Sequence, residues 1–196
     1  MLDFEQYDKI VYYKNVIKNT KTLVDIIEQT DSLIDENSAL SKWEDWDVSD
    51  SSYTFGKKKS TFLNKYDTSS LDIKFIIDSI INPIKETSLD YSKMFNIDIG
   101  SLMPISISKY SEGKEMGYHV DSYGDERSPV ISVVCYLNDS YTGGDIHFRD
   151  QDVKIKPDPG SILIFPSTPP YYHASLMVKS GIKYISPGFW YKDVVK

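Results

Sequence analysis

Residues 130–149 read Val-Ile-Ser-Val-Val-Cys-Tyr-Leu-Asn-Asp-Ser-Tyr-Thr-Gly-Gly-Asp-Ile-His-Phe-Arg. The apolar run Val130–Leu137 stops at the turn signal Asn138-Asp139, and Gly143-Gly144 opens a second short run. Short pieces rich in β-branched and aromatic residues, punctuated by Gly, Asn and Asp, favour strands over helices. The pattern continues in both directions, predicting strands at 102–110, 117–121, 130–137, 144–149, 153–156, 161–165, 173–178 and 182–191. Further turn signals fall at Ser111-Glu-Gly113, Tyr123-Gly-Asp125, Asp158-Pro-Gly160 and Ser180-Gly181. About eight short strands at this spacing predict a sandwich or a barrel.

Upstream of residue 100 the pattern changes. Val11-Tyr-Tyr predicts a short strand, and Thr20 or Thr22 is expected to cap a helix with Leu23, Ile26 and Ile27 on one face. Ile73, Phe75, Ile76, Ile77, Ile80, Ile81 and Ile84 contain an i, i+3, i+4, i+7, i+8 series, which marks a second amphipathic helix. Ser69 is its expected cap, and Asn82-Pro83 either kinks it or starts another helix. Their apolar faces must pack against the strands, so the fold class is α+β with a mainly β core. Residues 37–68 are polar and irregular, with Trp43, Trp46, Tyr53 and Phe55 interspersed. Gly56-Lys-Lys-Lys-Ser reads as a solvated hairpin tip, the alternative being a basic-edged lid.

The 196 residues suffice for one core, and 1–196 is expected to be a single domain, with 1–100 as helical support and lid loops. No run nears the roughly 20 apolar residues of a membrane span, so no membrane partner is expected. The N-terminus shows no basic region leading into an apolar run, so a secretory signal is not expected. The single cysteine, Cys135, cannot form an internal disulfide; it fits a reducing cytoplasm and should be buried. A net charge of -7 argues against a nucleic-acid partner, whose backbone demands a basic surface. Cations are overwhelmingly lysine, as in an AT-rich viral or bacterial genome; for a virus, the compartment is the host cytoplasm.

The chemistry gathers around His119-Val120-Asp121. On a strand, residues i and i+2 share a face, so an imidazole and a carboxylate can enter one interior. His173, in Pro169-Pro-Tyr-Tyr-His173, offers a third donor. Two histidines and one carboxylate on one face of an octahedron suit non-haem Fe(II). An isolated His-x-Asp is common by chance, and the weight comes from Lys183. It follows His173 by ten residues beyond Ser180-Gly181, on an expected neighbouring strand, and a buried lysine demands an anion. His147 alternates with Ile146 and Phe148, should face away from their side, and is left out of the metal set.

His119-x-Asp121, His173 and Lys183 together resemble the signature of the Fe(II)/2-oxoglutarate-dependent oxygenases, in particular the prolyl 4-hydroxylase-like family. Tyr110-Ser-Glu-Gly113, Tyr136-Leu-Asn138 with Gly143-Gly144, Gly160–Phe165 and Phe189-Trp190 extend the likeness over about residues 100–192. Met116 departs from it, standing where many prolyl hydroxylases carry an aromatic residue. The resemblance implies a double-stranded β-helix, or jelly roll, buttressed by the N-terminal helices. It implies Fe(II) on His119, Asp121 and His173, and 2-oxoglutarate held by Lys183 with Tyr110 and Tyr136. Taken singly, each tyrosine is equally a core or rim aromatic, and Trp190 is expected to be wall packing.

The resemblance implies O2-dependent hydroxylation of a C–H bond, with ascorbate as the reductant and succinate as co-product. A proline-containing peptide or protein is the preferred substrate. Another amino acid or small molecule, or a non-catalytic cupin-like metal- or ligand-binding module, is the alternative.

Overall fold

The computed structural model describes residues 2–46, 56–125 and 128–192. An exposed strand β1 (Phe4–Tyr7) turns into β2 (Ile10–Tyr13), and helix α1 (Thr20–Gln29) follows. Two short strands, β3 (Glu44–Asp45) and β4 (Lys57–Ser60), precede the long helix α2 (Leu71–Phe95). Then come β5 (Ser101–Leu102), β6 (Ser106–Tyr110), β7 (Met116–His119), β8 (Ile131–Tyr136), β9 (Tyr141–Gly143) and β10 (Ile146–Phe148). The chain finishes with β11 (Val153–Ile155), β12 (Ile162–Pro166), β13 (His173–Ser175), β14 (Val178–Gly181) and β15 (Lys183–Tyr191). No described helix is long and apolar enough to cross a membrane.

Among the described residues the major sheet runs β1-β2-β12-β8-β15-β6-β4-β3, with β5 also on β15; the minor sheet runs β11-β10-β13-β7, and β14 pairs with β9. All pairings are antiparallel, and the two sheets form the jelly roll of a mainly β, α+β fold. Alternation along the major sheet explains its composition. Ile131, Val133 and Cys135 of β8, with Ile162 and Ile164 of β12, join the cluster under the helices. Tyr136, Leu163 and Phe165 point the other way, meeting Ile146 and Phe148 of the minor sheet. Both faces of these strands are buried, so they read as continuous apolar runs.

Helix α2 covers the outer face of β8 and β12 with Ile73, Ile76, Ile77, Ile80, Ile81 and Ile84, while Phe75 falls off this stripe. Burying each isoleucine contributes about 2 kcal/mol. Its cap is Ser70, whose Oγ accepts from Ile73 N at 3.3 Å, not Ser69, whose Oγ accepts from Ala39 N at 2.7 Å. The helix runs unbroken through Pro83. Ahead of α1 neither threonine caps; Asn19 takes a left-handed conformation, φ 55, and the helix starts at Thr20.

Other boundaries shift. The expected 102–110 strand is split into β5 and β6, and the expected 173–178 strand ends at Ser175. Ser180-Gly181 is paired with β9 instead of forming a free turn. Gly56-Lys-Lys-Lys-Ser is no hairpin tip: Lys57–Ser60 is strand β4, locked between β3 and β6, with Lys59 fully buried against Asp31. Lysine-rich composition concealed a strand whose neighbours are distant in sequence. Tyr53 and Phe55 lie outside the described residues.

Candidate metal centre

β13 pairs with β7 so that His173 lies opposite His119. Their ring centroids are 4.3 Å apart. Asp121 sits two residues past His119, just beyond the end of β7, where its N–H donates to Ser167 O at 3.1 Å. Asp121 Oδ1 is 3.4 Å from His119 Nε2, and Oδ2 is 3.7 Å from His173 Nε2. One donor atom from each of the three lies within 4.8 Å of the others.

The surroundings fix the donor atoms. His119 Nδ1 meets Gly117 O at 2.8 Å, and His173 Nδ1 meets Tyr171 O at 3.1 Å. A carbonyl only accepts, so each Nδ1 carries the hydrogen and each Nε2 presents a lone pair. Burial pushes His173 down to about 4, against the opposing pull of Asp121, so it is neutral at physiological pH. At Asp121 burial opposes ionisation, but His119, His173 and Ser132 outweigh it and hold the carboxyl below its ordinary range. Ser132 Oγ donates to Asp121 Oδ2 at 2.5 Å and sits 2.8 Å from Ser167 Oγ. At His119 burial disfavours the proton, but Asp121 and Gly117 O outweigh it and raise the pKa, so a cation would displace a proton there. Two imidazole nitrogens and an ionised carboxylate form a donor set that fits a divalent first-row ion such as Fe(II).

The three side chains open into a cavity of about 400 Å³, and Lys183 lines it as well. The lysine does not arrive on the strand beside His173. β15 lies between β8 and β6 in the major sheet, so Lys183 enters from the sheet facing β13. The residues between them pair elsewhere as β14, which takes β15 across to the other layer. Lys183 is 1% exposed; Nζ donates to Gly144 O at 2.6 Å and Ser175 Oγ at 2.8 Å. Its Nζ lies 5.5 Å from the Tyr136 ring, 5.9 Å from Tyr110 and 6.0 Å from Tyr141. Burial, opposed by the charge of Asp145, lowers its pKa to about 7. Among the described residues no carboxylate bonds to this Nζ, and an incoming one would supply that contact.

Gly144 is required at this end. Its φ is +65, and a Cβ would come within 2.9 Å of the Tyr141 ring and 3.2 Å of Lys183 Cδ. Met116 lines the cavity, as does Phe189. Trp190 faces the helices, donating to Ser88 Oγ at 2.9 Å, and Cys135 is fully buried. His147 points away from the cluster of Ile146 and Phe148 and pairs with Tyr118. Sequence reasoning missed Ser132, Ser167, Ser175 and Tyr141. Ser132 had a signal: it is a polar residue inside an otherwise apolar strand, on the face of Tyr136.

Residues 105–192 match the model of the 2OG-Fe(II) oxygenase superfamily. A putative prolyl 4-hydroxylase of Acanthamoeba polyphaga mimivirus is 24% identical over 58% of this chain and 53% of its own. The chain therefore spans about half the length of that relative. The viral collagen prolyl hydroxylase of Paramecium Bursaria Chlorella virus-1, solved as its 2OG complex, superposes with a TM-score of 0.65 at 16% identity, covering 97% of both chains. A prolyl hydroxylase of Trichoplax adhaerens, solved with a peptide fragment of the hypoxia inducible factor oxygen degradation domain, gives 0.71 at 13% identity, over 95% of this chain and 84% of that one. At such identities the structural likeness establishes the fold. Fold, donor set and matched segment liken this chain to the 2OG-Fe(II) oxygenases, a class that takes Fe(II), 2-oxoglutarate and dioxygen. The relatives it resembles are named prolyl hydroxylases, and the likeness is to that branch of the class.

Proposed function

We propose that this chain, acting as a single domain, hydroxylates a C–H bond of a peptidyl proline in an Fe(II)- and 2-oxoglutarate-dependent reaction. The observation that carries the reading is the presence, in one cavity, of the His119–Asp121–His173 group and the buried ammonium of Lys183. In this reading the two Nε2 atoms and the Asp121 carboxylate hold the iron. Lys183 holds the distal carboxylate of 2-oxoglutarate, with Tyr110 and Tyr136 as the walls around it. Bound together, Fe(II) and 2-oxoglutarate would activate dioxygen, the oxidant, so that one oxygen atom enters the substrate C–H bond and the other enters succinate as carbon dioxide leaves.

The protein's own contribution is orientation and dryness. Ser132 and Ser167 fix the carboxylate, backbone carbonyls fix both imidazoles, and Val134, Ile146 and Ile185 keep the interior apolar. A peptidyl substrate is supported by the prolyl hydroxylase names of the relatives and by the peptide bound in the Trichoplax structure. Ascorbate is the proposed reductant that keeps the iron ferrous.

The test is a library of acetylated, amidated peptides incubated with protein, Fe(II), ascorbate and 2-oxoglutarate, read by mass spectrometry. One added oxygen on proline, with stoichiometric succinate, is expected. Oxygen added to another residue removes proline as substrate, and absence of succinate removes the enzyme.

A further inference from the structure

Among the described residues, the hydroxyl of Ser108 bonds to nothing. The residue is 1% exposed, and its Oγ has no hydrogen-bond partner there. Buried polar groups are ordinarily satisfied, so an unpaired one calls for a partner that arrives later. Ser108 lies two residues before Tyr110 on β6, shares its face, and lines the same cavity. Register sets it opposite Ile185, two residues along β15 from the Lys183–Tyr110 pair.

Its position sets it on the flank of the co-substrate path. In the major sheet β6 flanks β15 on one side and β8 on the other. The Asp121–Ser132 contact is on the β8 side, so a molecule reaching from Lys183 to Asp121 crosses towards β8, with Tyr110 of β6 beside its Lys183 end and Ser108 on the flank. On the β6 wall Ser108 is joined by Ser106 and Trp46, and Met116 borders the space from β7. The histidine, acidic and basic side chains among the described lining residues are His119, Asp121, His173 and Lys183, all engaged elsewhere. Among the described residues on the β6 wall, none offers a charged partner for a free α-carboxylate or ammonium.

We propose that Ser108 is a substrate-binding residue whose hydroxyl donates to an uncharged carbonyl of the substrate, a peptide backbone amide lying along the β6 wall. The assignment rests on the hydroxylase reading above. A hydroxyl can donate once while its oxygen accepts, which suits a backbone amide.

The test compares Ser108→Ala and Ser108→Thr with the unaltered protein. With the acetylated, amidated proline peptides, Ser108→Ala raises KM about fivefold, the loss of one neutral hydrogen bond, and Ser108→Thr restores it. Calorimetric affinity of the Mn(II)-loaded protein for 2-oxoglutarate stays unchanged; weakening there would assign the hydroxyl to the co-substrate and overturn the proposal. In the ligand-free protein Ser108→Ala leaves Tm equal or higher, because no bond is lost. A Tm lowered by more than about 2 °C would mean that the hydroxyl is already paired, and would overturn it too. Lack of peptide turnover by the unaltered protein defeats the hydroxylase reading instead, and the Tm comparison still judges Ser108.

Discussion

Ser132 Oγ donates to Asp121 Oδ2 across 2.5 Å, linking the floor strand β8 to the carboxylate between the two histidines. The hydroxyl occupies one carboxylate oxygen and restrains the orientation of the other. Ser132→Ala is expected to weaken Mn(II) or Fe(II) binding about 10-fold or more, the usual scale for losing a ligand's supporting bond. Ser132→Thr should recover most of that affinity. Metal titration by calorimetry checks both; equal affinities would show that the carboxylate is held by its backbone alone.

His173 is neutral and buried, and thus available to a cation without first losing a proton. His173→Ala should abolish the rise in Tm on adding Mn(II), with His119→Ala doing the same. His147→Ala should leave that rise intact, since its ring lies on the other face. Differential scanning fluorimetry with and without metal makes the comparison.

Lys183 gives a pH dependence with a definite sign. Its folded pKa, about 7, lies below its ordinary 10.5. Above about 10.5 it is neutral in both states and costs nothing. As pH falls towards 7 the unfolded chain gains the proton first, so this contribution to stability is lost, then levels off below the folded value. Lys183→Met should therefore raise Tm more at pH 7 than at pH 10, while 2-oxoglutarate binding disappears. Binding the diacid restores the charge, so at pH 8 the unaltered protein should take up nearly one proton per 2-oxoglutarate. Calorimetry in buffers of different ionisation enthalpy measures this, and no uptake would place the diacid away from Lys183.

Lys59 is fully buried against Asp31, which is partly exposed. Removing only the acid leaves an ammonium without its partner, so Asp31→Ala should destabilise by about 1–3 kcal/mol. Replacing the lysine, Lys59→Met, should fall within about 1 kcal/mol of the unaltered protein, because an apolar chain of similar length needs no partner. Urea denaturation at pH 7 separates the two outcomes.

The sandwich architecture, the apolar stripe of α2, the burial of Cys135 and the outward turn of His147 were all legible in the chain. So were His119, Asp121, His173 and Lys183 as residues gathered on one cavity. Each of these rests on local chemistry: alternation, helical periodicity, and the limited set of side chains able to bind a cation or an anion. The capping residues were displaced by one position at α2 and absent at α1, because several serines and threonines stand near each start and local propensity separates them weakly. The β4 strand was misread for a different reason. Its lysines describe a solvated segment until β6 and Asp31, from distant parts of the chain, close around Lys59.

Side-chain chemistry and periodicity specify what each segment can become and which atoms can serve as donors. They are silent on partners brought together by strand pairing. Only the folded arrangement sends Lys183 in from the sheet opposite His173, sets Ser132 beneath Asp121, and leaves Ser108 buried without a bond among the described residues. Those contacts depend on sheet order and register, which arise from packing across the whole chain rather than within any short stretch.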